Sequence, residues 1–381
     1  TIAKKAAMRT IAVVNQKGGC GKTITSINLS AFLALAGRRV LLVDMDPQGH
    51  STLGLSPGRS APTRTMYDVF RSETGGPEIT IADITRPVSE NFDLAPADVR
   101  LSAMPEALAG FTGRENILTL ALGGLPDRYD FVIIDCPPTV GLLTFNALKA
   151  CTEAIIPMDP SFFSLHGIGK LFETFEVLEN KTGHHISPRV LITLYAGRSP
   201  FVKAVVDEVH QHLAGQHFNT IIRQTVKLAE AASHGLPISQ YAKNSVGFED
   251  YKALADEVLR EEAEEAAPEE LIAAAPVVTR NGVVFTMEAP GAGRVQLAGD
   301  FNNWTPDAGD MEQAGRVWKK VLRLVPGRYR YRYVIDGRGE TDPRNAAVEP
   351  SPYGGNDSLI VLEEPPTPAW VLPRAESNGS E

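Results

Sequence analysis

The sequence predicts an α/β chain: a doubly wound, mostly parallel sheet built around a phosphate-binding loop, followed by a small all-β, immunoglobulin-like sandwich. Three observations carry this. A glycine-rich, lysine-bearing stretch, Lys17-Gly18-Gly19-Cys20-Gly21-Lys22-Thr23, lies between an apolar run and a helical run. Two further apolar runs end in aspartates. Beyond residue 276 the helical texture gives way to short strand-like runs separated by turns rich in Gly, Pro, Asp and Asn.

The first run, Thr10–Val14, reads as a buried strand and Ile24–Leu35 as the helix that follows. Strand, loop and helix stand in the order that a phosphate cradle needs, with backbone N–H groups closing on anionic oxygens at a helix N-terminus. Gly18, Gly19, Cys20, Gly21, Lys22, Thr23 and Ile24 are the candidate nucleotide-binding residues. Lys22 would reach the β- and γ-phosphates, and Thr23 would ligate Mg²⁺. Gln16 stands where the general phosphate-loop pattern has its first glycine, and a second lysine, Lys17, stands at the loop entrance.

Val40–Val43 leads into Asp44-Met45-Asp46-Pro47-Gln48-Gly49, and Phe131–Ile134 into Asp135-Cys136-Pro137-Pro138. Continuous apolar runs of this length suit strands covered on both faces. Ligands of such sheets bind at the carboxyl ends of the strands, where these aspartates fall. Carboxylates there can complete a Mg²⁺ shell and orient an attacking water. Ala154–Ile156 and Val190–Leu194 are further candidate strands, Phe201–Leu213 is an amphipathic helix, and Tyr251–Leu259 closes the first domain as a helix.

With 381 residues and 43% hydrophobic content, the chain has enough for two packed cores. No apolar stretch is long enough to span a membrane, and the basic start, Thr1–Arg9, has no secretory pattern. Cys20, Cys136 and Cys151 have spacings of neither a disulfide framework nor a zinc site, which predicts a cytoplasmic protein. A net charge of −9 argues against a broadly basic nucleic-acid binder and leaves room for a local basic patch.

The loop Lys17–Thr23, the D-x-D-P-Q-G run at Asp44 and the D-x-P-P run at Asp135 resemble the ParA/MinD ATPases, which are P-loop NTPases with a deviant Walker A loop. The likeness extends from about Thr10 to Arg260 and includes Ile155–Ser161 and Glu230–Ile238. It implies ATP and Mg²⁺ as cofactors and Lys17, Lys22 and Asp46 as catalytic residues. Thr23, Asp46 and Asp135 would serve as metal-shell residues, with Asp44 in support. It implies a homodimer sandwiching ATP, in which Lys17 reaches the partner's phosphates. His234 falls in a loop near the nucleotide or dimer face rather than in a catalytic role. DNA contacts of relatives map onto Arg223, Lys227 and Lys243, with Asn244 and Val246 where relatives have arginines. Nonspecific DNA binding is therefore expected, and expected to be weak.

Glu261–Pro276, with six glutamates, reads as an acidic linker, and it lacks the basic face of a membrane-binding amphipathic tail. Val277–Met287, Arg294–Phe301, Val317–Leu324, Tyr329–Ile335 and Ser358–Leu362 are the strand-like runs of the second domain, residues 277–362. Val295–Trp304, Pro326–Gly337 and Asp342-Pro343 resemble the glycogen-binding domain of the AMP-activated kinase β subunit and the N-terminal modules of branching enzymes and isoamylases. That resemblance makes Trp304 a sugar-stacking platform and Arg332 a sugar contact. The second platform falls on Gly339. Trp318 reads as core. Residues 363–381 read as a disordered tail.

Taken together, the resemblances imply a Mg-dependent, slow, partner-stimulated ATPase that dimerises with ATP and positions a chromosome, plasmid or protein cargo, associated with the nucleoid. A ParB-like or cargo-adaptor protein would stimulate it, and the sandwich would bind glucan or protein. Two alternatives stay open: a carbohydrate-linked regulatory ATPase, and a MinD-like positioning ATPase. An iron-protein reductase would need shared cluster cysteines, which Cys136 and Cys151 do not match.

Overall fold

In the computed structural model the described residues are 8–56, 61–125, 128–197, 199–213, 215–266, 276–279, 282–314, 317–351 and 354–363. They form two compact units, divided at Arg260. The expected disordered tail, most of the N-terminal extension and residues 267–275 of the expected linker lie outside the described residues.

The first unit is built on a seven-stranded sheet. Its strands are β1 (Arg9–Val13), β2 (Val40–Asp44), β3 (Arg86–Ser89), β4 (Phe92–Ala95), β5 (Phe131–Asp135), β6 (Glu153–Met158) and β7 (Ser187–Ile192). Their order is β3-β4-β2-β5-β1-β6-β7, parallel except for β3 against β4. Each central strand alternates between two apolar layers. Ile11 and Val13 enter the core on one side with Leu29, Leu33 and Phe131, and Ala12 and Val14 enter the other with Val43, Ile134 and Ile156. Near-continuous apolar strands are stable only in this doubly covered setting.

The β3–β4 hairpin is the element that apolar patterning did not reveal. Arg86-Pro87-Val88-Ser89 is a polar edge strand, and Pro87 is tolerated because an edge needs fewer donors. Asn91, at φ 59°, turns the chain tightly into β4. At the other end of the unit, the closing helix runs Val246–Ala266. Six residues of the expected linker therefore continue this helix, as their alanines and glutamates favour.

The second unit pairs two antiparallel sheets. Its strands are β8 (Val277–Thr279), β9 (Gly282–Glu288), β10 (Val295–Gly299), β11 (Glu312–Ala314), β12 (Val317–Leu322), β13 (Gly327–Ile335), β14 (Arg338–Glu340), β15 (Val348–Pro350) and β16 (Asn356–Leu362). One sheet runs β10-β13-β16-β15, with β14 on β13, and the other runs β11-β12-β9-β8. Phe285, Leu297, Trp318, Tyr331 and Tyr333 fill the space between them. Trp318 is core, as its place on a strand predicts, and its Nε1 donates to the Ala289 carbonyl at 3.3 Å. Tyr331 and Tyr333 are buried with their hydroxyls bonded to Asp342 (2.7 Å) and to the Thr286 carbonyl (3.0 Å).

Candidate nucleotide site

β1 ends at Val13, and the helix Lys22–Leu35 begins directly after the glycine loop. Gly21 holds φ 90° at the helix N-cap, a conformation that a side chain resists, so the last N–H groups can turn inward. The loop is fixed from outside. The Asn15 side-chain oxygen accepts the Lys17 N–H at 3.0 Å, and Asn15 Nδ2 donates to the Pro157 carbonyl at 2.8 Å. Thr193 donates to the Cys20 carbonyl at 2.8 Å. Cys20 itself is buried, and that burial pushes its thiol pKa up, so it is a packed loop residue rather than an activated thiol.

The two lysines are treated differently. Lys22 is buried, and its Nζ donates to the Lys17 carbonyl at 2.9 Å across the loop, spanning the place where phosphate oxygens would sit. Lys17 turns out of the loop, and its Nζ pairs with Asp159 at 2.7 Å, just beyond β6.

The aspartates converge at the carboxyl ends of β2 and β5. Asp44 and Asp135 are direct neighbours in the parallel register. Asp135 accepts hydrogen bonds from Ser26 (3.1 Å) and Ser51 (2.8 Å), and the Thr23 hydroxyl favours its ionised form. Burial pushes its pKa up, the hydroxyl bonds oppose this, and the nearby Asp46 charge adds to the rise. Asp44 rises through burial and then through the Asp135 charge. Asp44 is spent on the loop: it accepts from the Thr52 N–H (2.9 Å), the Thr52 hydroxyl (2.7 Å) and the Asp46 N–H (3.1 Å). That scaffold presents Asp46, whose Oδ1 accepts from the Gln48 N–H at 2.9 Å. Gly49, at φ 62°, closes the turn, and a Cβ there would meet the Ala97 carbonyl at 3.2 Å.

These residues fit a nucleotide with a hard cation. The donors are a threonine hydroxyl and carboxylates, and a cation shared with phosphates needs only one or two protein carboxylates. Among the described residues no three His, Cys, Asp or Glu side chains converge as an all-protein metal site. Asn15, Ser26, Ser51 and Thr193 are loop-supporting residues that the motif reading passed over, whereas Asp159 lies in the family-like segment Ile155–Ser161 that it included. Small polar residues carry no spacing signal, and only the folded register brings them to the loop.

His234 is exposed at the end of the helix Val226–Ser233, its Nδ1 on the Glu230 carbonyl at 2.8 Å and its ring 5.0 Å from that of Tyr241. It stands at the C-cap of that helix. The same loop reaches the phosphate-loop helix through the Ile238 N–H, which donates to Asn28 at 2.7 Å.

Of the three basic residues mapped to DNA binding, two are already paired. Arg223 forks onto the buried Asp250 (2.6 Å) and reaches Glu249 (2.9 Å). Lys227 pairs with Glu230 at 2.7 Å. Lys243 is exposed.

In the second unit, Trp304 sits half-buried at φ 58°, and its Nε1 donates to Asp300 at 2.9 Å. Arg328, Arg330 and Arg332 alternate along one face of β13, paired with Glu349, Asp300 and Asp357 respectively. Arg332 also donates to the Gly354 carbonyl at 2.7 Å. Its guanidinium is thus engaged within the sandwich by Asp357 and Gly354. Gly339 lies beside it, with its Cβ direction 3.8 Å from Arg332 Cδ.

A seven-stranded sheet with a phosphate loop, an entrance lysine and two strand-end aspartate motifs defines a P-loop ATPase of the ParA/MinD kind. Residues 8–187 match the family described as an AAA domain. The chain is 40% identical over 252 residues to the chromosome-partitioning ATPase Soj of Treponema pallidum, covering 66% of this chain and 97% of that protein. It is 38% identical over 250 residues to the sporulation initiation inhibitor protein Soj of Bacillus subtilis, covering 65% and 97%. Among solved structures, the MinD cell-division ATPase of Pyrococcus furiosus matches with a TM-score of 0.55 at 27% identity, over 67% of this chain and 100% of that one. Cobyrinic acid a,c-diamide synthase of Mycobacterium smegmatis, with an ATP analogue and magnesium bound, matches with a TM-score of 0.55 at 29% identity, over 68% and 97%.

The chain belongs to the Soj/ParA family of ATPases. Residues 273–354 match carbohydrate-binding module 48, the isoamylase N-terminal domain. No described helix is long and apolar enough to cross a membrane.

Proposed function

We propose that this protein positions a cellular cargo through an ATP-dependent cycle of dimerisation, with slow, Mg-dependent and partner-stimulated hydrolysis as the reset. One observation carries the reading: the loop holds two lysines with divided labour. Lys22 bridges the loop of its own subunit, while the Lys17 ammonium stands outside the loop and leaves the cis phosphate position to Lys22. A second subunit facing the loop would bring a second Lys17 to the phosphates. Asp46, held by Asp44 and the Gln48 N–H, would orient the attacking water, and Thr23 with Asp135 would complete the metal shell. The bound Mg²⁺ would neutralise charge on the transferring phosphoryl group.

Nucleoid association through nonspecific DNA is part of this reading, with an adaptor of ParB type as stimulator. The grip on DNA is weak, because Arg223 and Lys227 spend their charge on Asp250, Glu249 and Glu230. The domain boundaries at about 260 and 277 separate this cycle from a sandwich that carries an adaptor or weak glucan-binding role. The half-formed platform of Trp304 and the engagement of Arg332 with Asp357 and Gly354 favour the adaptor role.

The test is sedimentation of the full chain with ATP, ADP or no nucleotide, alongside phosphate release with Mg²⁺ or EDTA. The reading expects a dimer with ATP alone, and hydrolysis only with Mg²⁺. A monomer under every condition would end it.

A further inference from the structure

Lys17 is fixed at its backbone and committed at its tip. Its N–H is held by Asn15, and its carbonyl accepts from Lys22 and from the Cys20 thiol at 3.2 Å. Its Nζ donates to both Asp159 oxygens (2.7 and 2.8 Å) and to Ser161 and Ser164 (both 3.1 Å). Ser164 is buried and in turn donates to Asp159 at 2.6 Å. Burial works against the Asp159 charge, but the bonds from Lys17 and Ser164 outweigh it and hold its carboxyl below the ordinary range. Asp159 therefore stays ionised and is a complete acceptor for this ammonium within one subunit.

We propose that Asp159 is the positioning residue for Lys17, a latch that keeps the ammonium inside its own subunit and must open before the lysine can serve a partner's nucleotide. This rests on the dimerising reading above. The latch lies between the end of β6 and the first turns of the helix Phe162–Thr182, so assembly is coupled to that segment. Its function is a threshold. An ion pair of this exposure shifts such an equilibrium by about fivefold, and a dimer needs two latches opened, so latching raises the apparent dimer dissociation constant by about 25-fold. Without it, subunits would pair at lower concentration and the ATP-bound dimer would form before cargo or matrix is engaged.

The experiment measures dimer dissociation by analytical ultracentrifugation with ATPγS and Mg²⁺, and monomer nucleotide affinity by a fluorescent ATP analogue at high dilution. Asp159→Asn is expected to tighten the dimer about 25-fold and to leave monomer affinity within about twofold. Ser164→Ala, which trims one arm while keeping the carboxylate, should give a smaller gain in the same direction. Asp159→Asn combined with Lys17→Ala should stay monomeric, as Lys17→Ala alone does, because the ammonium that Asp159 releases is what makes the dimer contact. A wild-type protein that dimerises while Asp159→Asn dimerises equally or more weakly overturns the latch and leaves the dimer reading standing. A wild-type protein and variants that all remain monomeric remove both.

Discussion

Asp44 and Asp135 face each other in register at the ends of two neighbouring parallel strands, and both are fully buried. Two carboxylates so placed cannot both ionise cheaply, and burial raises both pKa values above the unfolded value. Between about pH 4 and neutrality this pair then holds more protons in the folded protein than in the unfolded chain. Stability from this pair is full at low pH within that window and falls as pH rises through the raised values. The Tm of the nucleotide-free protein should fall from pH 5 to pH 8, and fall less in Asp44→Asn. A nearby cation favours the ionised forms, so Mg–ATP binding should release protons, read by calorimetry in buffers of different ionisation enthalpy.

Lys22→Ala removes the buried ammonium that spans the loop. Nucleotide binding should fall by at least tenfold, with the Tm of the nucleotide-free protein lowered by a few degrees at most, because the Lys17 carbonyl that Lys22 caps can turn to water. Equilibrium binding of a fluorescent ATP analogue checks this. Unchanged affinity would remove Lys22 from the phosphate site.

The nucleotide site was legible where its chemistry is written in consecutive residues. Lys17–Thr23, Asp44–Gly49 and Asp135 were readable because backbone geometry and phosphate contact demand glycines, a lysine and carboxylates at fixed intervals. The segment Ile155–Ser161 was placed by resemblance, but the pairing of Asp159, Ser161 and Ser164 with Lys17 was not readable, because they lie about 140 residues from Lys17 and meet it only through the adjacency of β1 and β6. The edge strand β3 was missed for a different reason: it faces solvent and has no apolar run. The pairing of Arg223 with Asp250 was also invisible, since each charge alone reads as a solvated surface residue.

That pairing separates three basic residues that look equivalent in sequence. Lys243→Glu should weaken ATP-dependent DNA binding without moving the Tm, and reduce the slope of log affinity against log salt by about 0.9 if it neutralises one phosphate. Arg223→Ala should lower the Tm as well, because the buried Asp250 carboxylate loses its guanidinium and keeps only the backbone N–H of residue 223. Filter binding across a salt series, with thermal melts alongside, distinguishes the two. A Lys243→Glu protein with unaltered DNA affinity would move the contact elsewhere.

The sandwich can be given back its second platform. Gly339 has an unstrained backbone, and a Cβ there would make ordinary contact with Arg332 at 3.8 Å. Gly339→Trp in the full chain should therefore fold and should strengthen binding to β-cyclodextrin or maltoheptaose over a wild type in roughly the millimolar range. Trp304→Ala should abolish whatever binding the wild type shows. Micromolar glucan affinity in the unmodified protein would make a carbohydrate-responsive ATPase the better reading.

The central claim is that ATP bridges two subunits through Lys17 and is consumed through Asp46. Size-exclusion chromatography of Asp46→Ala and of Asp46→Ala with Lys17→Ala, each with ATP and Mg²⁺, tests it most directly. The single variant should elute as a stable dimer with unhydrolysed ATP, since only the water has lost its orienting carboxylate. The double variant should bind ATP and elute as a monomer. An Asp46→Ala protein that binds ATP and stays monomeric, or a double variant that still dimerises, would contradict the account.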